Sequence, residues 1–194
     1  QAGEGQNPAR QATLKAGLPI DVPAYGINML CGSGLKSVSL GFQSIRSGDA
    51  NIIIAGGQES MTKSPHVINL RGGTKMGDAT MVDTMIKDGL TDSMCNIHMG
   101  VTAENLAKEY DISRATQDES AAKSQALAGA AQKAGFFDEE IVAVSVPGRK
   151  ESIVVAKDEY LKPETTSEGL SKLRPCFIKD GTVTPGNASG INDS

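Results

Sequence analysis

The residues best suited to chemistry are centred on Cys31, in the run Asn28-Met29-Leu30-Cys31-Gly32-Ser33-Gly34. After it, apolar side chains recur at the spacing of one helix face: Leu35, Val38, Phe42 and Ile45. Gly48 is placed to end this helix. Cys31 is therefore predicted at a helix N-terminus, where backbone N–H groups and the helix dipole favour a thiolate. Such a thiolate could act as a nucleophile; the alternative is a small thiol packed as an apolar side chain.

His98, followed by Met99, is the second candidate. Metal binding is disfavoured because no set of ligands stands at the required spacing: Cys95 lies three residues before it and Glu104 six after. His98 is predicted either to line an apolar pocket or to be a hydrogen-bonded histidine at a helix start. His66 has no such surroundings and is interpreted as structural.

Composition excludes several classes of protein. The 194 residues are 39% hydrophobic, enough for one core or one and a half small ones. The net charge of −4, without a basic run, argues against a nucleic-acid or membrane-surface partner. No apolar stretch approaches the roughly 20 residues that cross a bilayer. Three widely spaced cysteines without a CxxC indicate reduced thiols rather than disulfides or a zinc site.

The pattern around Cys31 is typical of an α/β protein. Residues 24–30 are predicted as a strand, followed by the helix that ends at Ser47. In the segment 51–57, β-branched Ile52 to Ile54 precede Gly56-Gly57, which predicts a strand buried on both faces. Together they form a βαβ unit.

Further elements follow. A short helix is predicted over 7–16, and a long helix over 114–134, with Ser113 as its N-cap and Gly135 as its stop. Alternating valines at 142–146 and the apolar run 153–155 predict a half-buried hairpin. Residues 60–92 are long and irregular, which favours a functional or intersubunit role.

The cysteine segment resembles that of the thiolases, enzymes that make or cleave 3-ketoacyl-CoA through an acyl-cysteine. Six other segments resemble the same family in the same order, so that the match runs through all 194 residues: 5–11, 55–61, 88–92, 98–104, 181–184 and 187–193. Within the family the chain is most similar to the biosynthetic and cytosolic acetyl-CoA acetyltransferases.

The resemblance implies a thiolase-like α/β fold, whose N-terminal βαβ half carries an inserted loop domain, with the second half missing from these residues. We expect 1–60 to belong to the N-terminal α/β domain with the nucleophile. Residues 61–180 would form the loop domain that covers CoA and makes oligomer contacts, and 181–194 would return to the first domain. The start without Met and the end at Ser194 suggest part of a longer subunit.

The resemblance also implies an activity: reversible condensation of two acetyl-CoA to acetoacetyl-CoA and CoA, through an acetyl group on Cys31. No covalently bound cofactor and no metal are expected; acetyl-CoA, acetoacetyl-CoA and CoA are the partners. The implied substrate-binding residues are Leu90, His98, Met99, Lys162, Leu170, Phe177 and Ser189. Plain packing is the alternative for Leu170 and Phe177.

The chain departs from the family at three of its CoA-covering positions. Lys162 stands where an arginine is frequent, which removes a planar, bidentate group. Gly169 replaces a serine and Pro185 a common alanine. The family's histidine, second cysteine and asparagine-held water belong to segments that do not occur in these 194 residues.

Two other functions remain open. A catalytically silent thiolase-like protein could bind CoA or a partner subunit. A Rossmann-type nucleotide module is disfavoured because no GxGxxG follows a strand. We expect a homotetramer in the cytoplasm, without a nucleic-acid or membrane partner; mitochondria or peroxisomes are the alternative locations.

Overall fold

The computed structural model describes residues 2–193; Gln1 and Ser194, the outer limits of the predicted domains, lie outside the described residues. The chain forms two compact units: one contains the residues up to Thr91 together with Asn192 and Asp193, and the other contains Asp92–Ile191. The division into units is based on contacts within this chain alone, and it does not test the predicted domain boundaries. The predicted boundaries at 60/61 and 180/181 therefore stay predictions.

The first unit contains two α-helices, α1 (Pro8–Lys15) and α2 (Ser33–Ser47). It also contains two two-residue strands, β1 (His66–Val67) and β2 (Val82–Asp83), followed by a π-helical turn over Met85–Leu90. The two strands pair antiparallel. The irregular segment predicted over 60–92 thus contains only one small hairpin and one turn of helix.

Helix α1 anchors the chain that leads toward Cys31. The Asn7 side chain caps the helix by accepting the Arg10 amide at 3.1 Å, and its Nδ2 donates to the Ala24 carbonyl at 2.9 Å. The Arg10 guanidinium donates to the carbonyls of Ile20 and Val22. Residues 20–24 are therefore held by side chains of α1 rather than by strand pairing.

Helix α2 confirms the helical spacing after Cys31, and Gly48 ends it in the left-handed region with φ 82°. Gly41 is buried against the segment 51–57, where a Cβ atom would lie 2.8 Å from Ile53 Cγ2. The predicted apolar stripe, from Leu35 to Ile45, is instead exposed along its length.

The predicted strands flanking α2 are not paired within residues 2–193. Neither 24–30 nor 51–57 joins a sheet there; the only bridge in either segment is an isolated one between Met29 and Cys31. The expected burial of the second strand on both faces is also wrong for the described residues, since Ile52 is 86% and Ile54 80% exposed. A strand needs a hydrogen-bonded neighbour, and a doubly buried one also needs a layer on each face.

The second unit contains three helices and one hairpin. The helices are α3 (Met99–Glu109), α4 (Arg114–Lys133) and α5 (Ser167–Ser171), and the strands are β3 (Val144–Val146) and β4 (Ile153–Val155). Ser113 caps α4 by accepting the Thr116 amide at 3.1 Å, as predicted. Strands β3 and β4 pair antiparallel, which confirms the hairpin. Both strands are exposed, so the prediction of half-burial is wrong.

The core of the second unit lies between α3, α4, α5 and the chain after Phe177. Its buried apolar side chains are Ala107, Leu170 and Val183; its buried polar ones are Glu104, Asp118 and Thr184. Polar side chains thus contribute as much to this core as apolar ones. Among the described residues no helix combines the length and apolarity needed to cross a membrane.

Close packing at Gly100 generates a first prediction. A Cβ atom at this position of α3 would lie 2.3 Å from Cγ of Phe177, whereas at Gly34 of α2 it would meet nothing within 4 Å. Gly100→Ala should lower the free energy of unfolding by about 1–3 kcal/mol, because the ring must move. Gly34→Ala, the matched control, should leave it unchanged or raise it by up to about 1 kcal/mol. Denaturant unfolding of both variants measures the difference; equal stabilisation by both would contradict the packing argument.

Candidate functional site

Cys31 is exposed and follows directly after a turn that short-range hydrogen bonds hold in place. Leu30 has φ 50°, a left-handed conformation that is costly for a branched side chain. Its amide donates to Asn28 Oδ1 at 2.9 Å. Ser33 Oγ accepts the Met29 amide at 2.8 Å and donates to the Leu30 carbonyl at 2.7 Å. Side chains on both sides of Cys31 thus fix the backbone that presents its thiol.

The position of Cys31 before a helix is confirmed. Helix α2 begins at Ser33, and Gly32 is its N-cap, with no side-chain capping bond. Cys31 therefore directly precedes the positive end of the helix dipole, a place that favours negative charge. An accessible thiol at such a place can attack a thioester carbonyl. The nucleophilic role of Cys31 remains a prediction.

The other two cysteines have different surroundings, although both are free and exposed. The Asp92 carboxylate accepts the Cys95 and Met94 amides, at 2.9 and 3.2 Å, and these bonds lower the pKa of Asp92. The hydrogen bond of the Cys95 thiol to the same carboxylate, together with its negative charge, raises the pKa of Cys95. Cys176 Sγ donates to the Val183 carbonyl at 3.6 Å. Neither cysteine immediately precedes a helix in the sequence.

His98 is the N-cap of α3, in the second unit. Its Nδ1 accepts the Gly100 amide at 3.0 Å, which confirms a hydrogen-bonded histidine at a helix start. In the neutral ring Nε2 then carries the proton. The ring stacks on Phe177, with centroids 4.9 Å apart and planes 25° from parallel. The structure therefore brings two predicted substrate-binding residues together, with Met99 next to His98 in sequence.

A buried carboxylate lies one turn further along α3. Glu104 is 5% exposed, and its two oxygens accept the Thr182 amide at 2.9 Å, the Thr182 hydroxyl at 2.9 Å and the Val183 amide at 2.8 Å. Burial by itself would raise the pKa of Glu104. The hydrogen bonds from Thr182 and Val183 outweigh that effect and bring the pKa below its ordinary value. Glu104 is therefore ionised at neutral pH.

The same chain segment is also tied to α4. Asn187 Nδ2 donates to Asp118 Oδ1 at 2.9 Å, and Asn187 Oδ1 accepts the Thr184 amide at 2.8 Å. Asp118, 2% exposed, pairs with Arg114 Nε at 2.8 Å. The Arg114 guanidinium continues to the Leu170 carbonyl at 2.7 Å. These bonds join α4, α5 and the chain around Asn187 into one polar network.

The remaining predicted binding residues are more scattered. Leu170 is buried in α5, which favours a packing role for its side chain. Lys162 is exposed, and its backbone amide donates to Gln125 Oε1 at 2.8 Å. Ser189 is exposed, whereas Leu90 is half-buried at the end of the π-helical turn in the first unit. His98 and Phe177 stack directly on each other.

Sequence reasoning considered Glu104 only as a metal ligand and did not single out Tyr160. Within residues 2–193, no group of three His, Cys, Asp or Glu side chains could hold a metal ion. Glu104 shares one helix face with Gly100 and Ala107. An acidic residue on a face of small residues is the one sequence feature that could have indicated its burial. The Tyr160 ring packs on Gly190, where a Cβ atom would lie 2.5 Å from it, beside Ser189. No local pattern indicates that contact.

Comparison with known proteins identifies the family. The family model described as "Thiolase, N-terminal domain" matches residues 1–194. The chain belongs to the thiolase family. It is 58% identical to an acetyl-CoA acetyltransferase of Rhizobium meliloti and 59% identical to one of Shinella zoogloeoides, over 99% of this chain and 49% of each relative. The chain thus spans about half the length of the curated relatives it matches.

Solved thiolase structures confirm the predicted fold class. An acetyl-CoA acetyltransferase of Bacillus anthracis matches all of this chain with a TM-score of 0.94 at 40% identity. Human mitochondrial 3-ketoacyl-CoA thiolase matches 95% of it with a TM-score of 0.90 at 43% identity. The match covers 49% and 47% of those two chains. The present chain therefore has the α/β fold of the N-terminal half of a thiolase.

The contrast between Cys31 and Cys95 generates a second prediction. With substoichiometric iodoacetamide at neutral pH, Cys31 should be alkylated before Cys95, because alkylation requires the thiolate and Asp92 raises the pKa of Cys95. Peptide mass spectrometry measures the order. Asp92→Asn should speed alkylation of Cys95 and leave Cys31 unchanged. Preferential labelling of Cys95 or Cys176 in the unmodified protein would contradict the nucleophile assignment.

Proposed function

We propose that the protein is an acetyl-CoA acetyltransferase that condenses two acetyl-CoA to acetoacetyl-CoA and CoA, and that also catalyses the reverse thiolysis. The observation that carries this proposal is the exposed Cys31 thiol, which lies before the N-terminus of α2 in a turn held by hydrogen bonds. The relatives named acetyl-CoA acetyltransferase, at 57–59% identity, support the substrate class.

In the first half-reaction the Cys31 thiolate attacks the thioester carbonyl of acetyl-CoA. A new C–S bond forms, and the C–S bond to CoA breaks, so that CoA leaves as a thiolate and takes up a proton. The negative charge that develops on the carbonyl oxygen needs hydrogen-bond donors, and the Cys31 backbone N–H is one candidate. Helix α2 favours the thiolate both before the attack and when Cys31 later departs.

In the second half-reaction a base removes the α-proton of another acetyl-CoA, and the resulting carbanion attacks the acetyl group on Cys31. A C–C bond forms, the C–S bond to Cys31 breaks, and Cys31 leaves as the thiolate. His98 is a poor choice for this base. Its Nδ1 already accepts the Gly100 amide, so Nε2 carries the proton in the neutral ring and cannot accept another. We therefore assign the base to residues of the full-length protein beyond this segment.

The second unit would bind the CoA part of the substrate. We propose that His98, Met99 and Phe177 contact its acyl and pantetheine end, where apolar surface is required. Lys162 is exposed and can supply a positive charge to a phosphate, as a point charge rather than a bidentate group. Ser189 is exposed and can donate to the pantetheine arm. Leu170 would support this surface by packing beneath it.

Cleavage of acetoacetyl-CoA by free CoA tests the proposed activity. The full-length gene product should catalyse it, and Cys31→Ala should reduce kcat by at least about 1,000-fold, because no acyl-enzyme can form. Cys95→Ala is the matched control and should retain the activity. Turnover that survives Cys31→Ala would refute the mechanism. CoA binding without any turnover in the wild-type protein would support a silent thiolase-like protein instead.

We also propose that the protein assembles as a homotetramer. The segment between β1 and β2 is exposed and irregular but contains apolar residues, including Met76 and Met81. Exposed apolar side chains in a long loop favour a role as an intersubunit contact.

Two methionines of similar exposure provide a matched test of the assembly. Met76, 95% exposed, lies in the β1–β2 segment, whereas Met94, 90% exposed, lies outside it. Met76→Asp should lower the mass of the full-length protein in size-exclusion chromatography with light scattering, because a buried charge disfavours the contact. Met94→Asp should leave the tetramer intact. A wild-type protein that is only monomeric would contradict the proposal, as would an equal loss of assembly in both variants.

A further inference from the structure

The stack of His98 on Phe177 depends on a loop that other contacts must hold in place. The Cys176 amide donates to the Val183 carbonyl at 3.1 Å, so residues 176–183 form a loop closed at its base. Phe177 is the first residue inside this loop. Its ring fits against the first turn of α3 because Gly100 has no Cβ atom. The stack therefore forms only if the base of the loop stays beside α3.

The Glu104 carboxylate binds this base directly. Oε1 accepts the Val183 amide at 2.8 Å, and both oxygens share the Thr182 amide at 2.9 Å. A Cβ atom on the preceding Gly181 would lie 2.3 Å from Oε1, which shows how closely the backbone approaches the carboxylate. A continuous path of bonds thus runs from Glu104 through Val183 and Cys176 to Phe177, whose ring contacts His98.

Glu104 makes these bonds without a basic partner. Within residues 2–193 no lysine, arginine or histidine forms an ion pair with it. A buried carboxylate without a counterion is costly, and here only donors of the loop base offset that cost. An apolar side chain at position 104 would avoid the cost of burying a charge. It could not accept the hydrogen bond that orients the Val183 amide. The hydrogen bonds that offset the burial of the Glu104 carboxylate therefore come from the base of this loop.

We propose that Glu104 is a positioning residue for substrate binding: it holds the loop 176–183 against α3 and so fixes the Phe177–His98 stack. This inference rests on the proposed function, because the stack is assigned there to the acyl and pantetheine end of CoA substrates. Loosening the loop would disturb the binding surface in the second unit. It would leave the turn around Cys31 unchanged, because side chains of Asn28 and Ser33 hold that turn.

Glu104→Gln is the principal test, made in the full-length protein. The amide group of glutamine replaces one acceptor oxygen with an NH₂ that faces backbone N–H donors. We expect the KM for acetoacetyl-CoA in thiolysis to rise about tenfold, with kcat changed less than about threefold. The rate of Cys31 alkylation by iodoacetamide should not change. Glu109→Gln, on the exposed end of the same helix, is the matched control and should alter neither quantity.

A purely structural role of Glu104 predicts a different result. Loss of folded protein would lower kcat through the active fraction and leave KM unchanged, and that outcome would overturn the proposal. If Glu104→Gln fails to fold, Thr182→Val serves instead. It removes the hydroxyl donor to Glu104 Oε2, together with the acceptor of Gln117 Nε2, and should raise KM about two- to threefold. An unchanged KM in that folded variant would equally overturn the proposal.

A double-mutant cycle tests the path through Phe177. Phe177→Leu removes the stack, so Glu104→Gln should raise KM much less in that background than in the wild type. If the two substitutions instead raise KM independently, so that their fold-changes multiply, the proposed path from Glu104 to Phe177 is refuted.

Hydrogen exchange of the peptide 176–183 separates this proposal from the proposed function, because it requires no catalysis. Exchange should be faster in Glu104→Gln than in Glu109→Gln. A wild-type protein without thiolase activity would refute the proposed function, while unchanged exchange would refute the positioning role.

Discussion

The chain around Val183 is held to α3 by the buried carboxylate of Glu104. Glu104 accepts hydrogen bonds from Thr182 and Val183, and these bonds connect α3 to a chain segment that no sheet holds in place. With only three apolar side chains buried in the described residues, the hydrophobic effect alone specifies little about where that segment lies. Directional bonds to a carboxylate supply the missing geometric information, because their strength falls steeply when a donor is misaligned.

In the first unit, hydrogen bonds between near neighbours in sequence hold the turn that presents Cys31. The turn before α2 is fixed by Asn28 and Ser33, both within three residues of Cys31. These bonds offset the cost of the left-handed conformation at Leu30. A thiol presented in this way depends on its neighbours in sequence. The surface formed by His98 and Phe177, by contrast, depends on residues far apart along the chain.

The first unit exposes apolar side chains beside Cys31 in the sequence. The outward stripe of α2 and the side chains of Ile52 and Ile54 are open to solvent. Their helical spacing and β-branched run are typical of residues that face a core. The chain spans about half the length of the curated relatives it matches.

Sequence by itself determined helices α1, α2 and α4, the start of α3, the caps at Ser113 and Gly48, the β3–β4 hairpin and the place of Cys31. Such caps act within one turn of helix, so their effect is readable in a few residues. The seven motifs identified the family for the same reason, since each is a continuous run.

Tertiary structure alone decided which residues meet. Glu104 and Thr182 are 78 residues apart, and no periodicity in either segment indicates their contact. The exposure of Ile52 and Ile54 likewise depends on whether neighbouring strands and layers are present, which a strand's own residues do not encode. Local patterns specify hydrogen bonds between near neighbours, whereas burial and long-range pairing depend on how distant segments pack together.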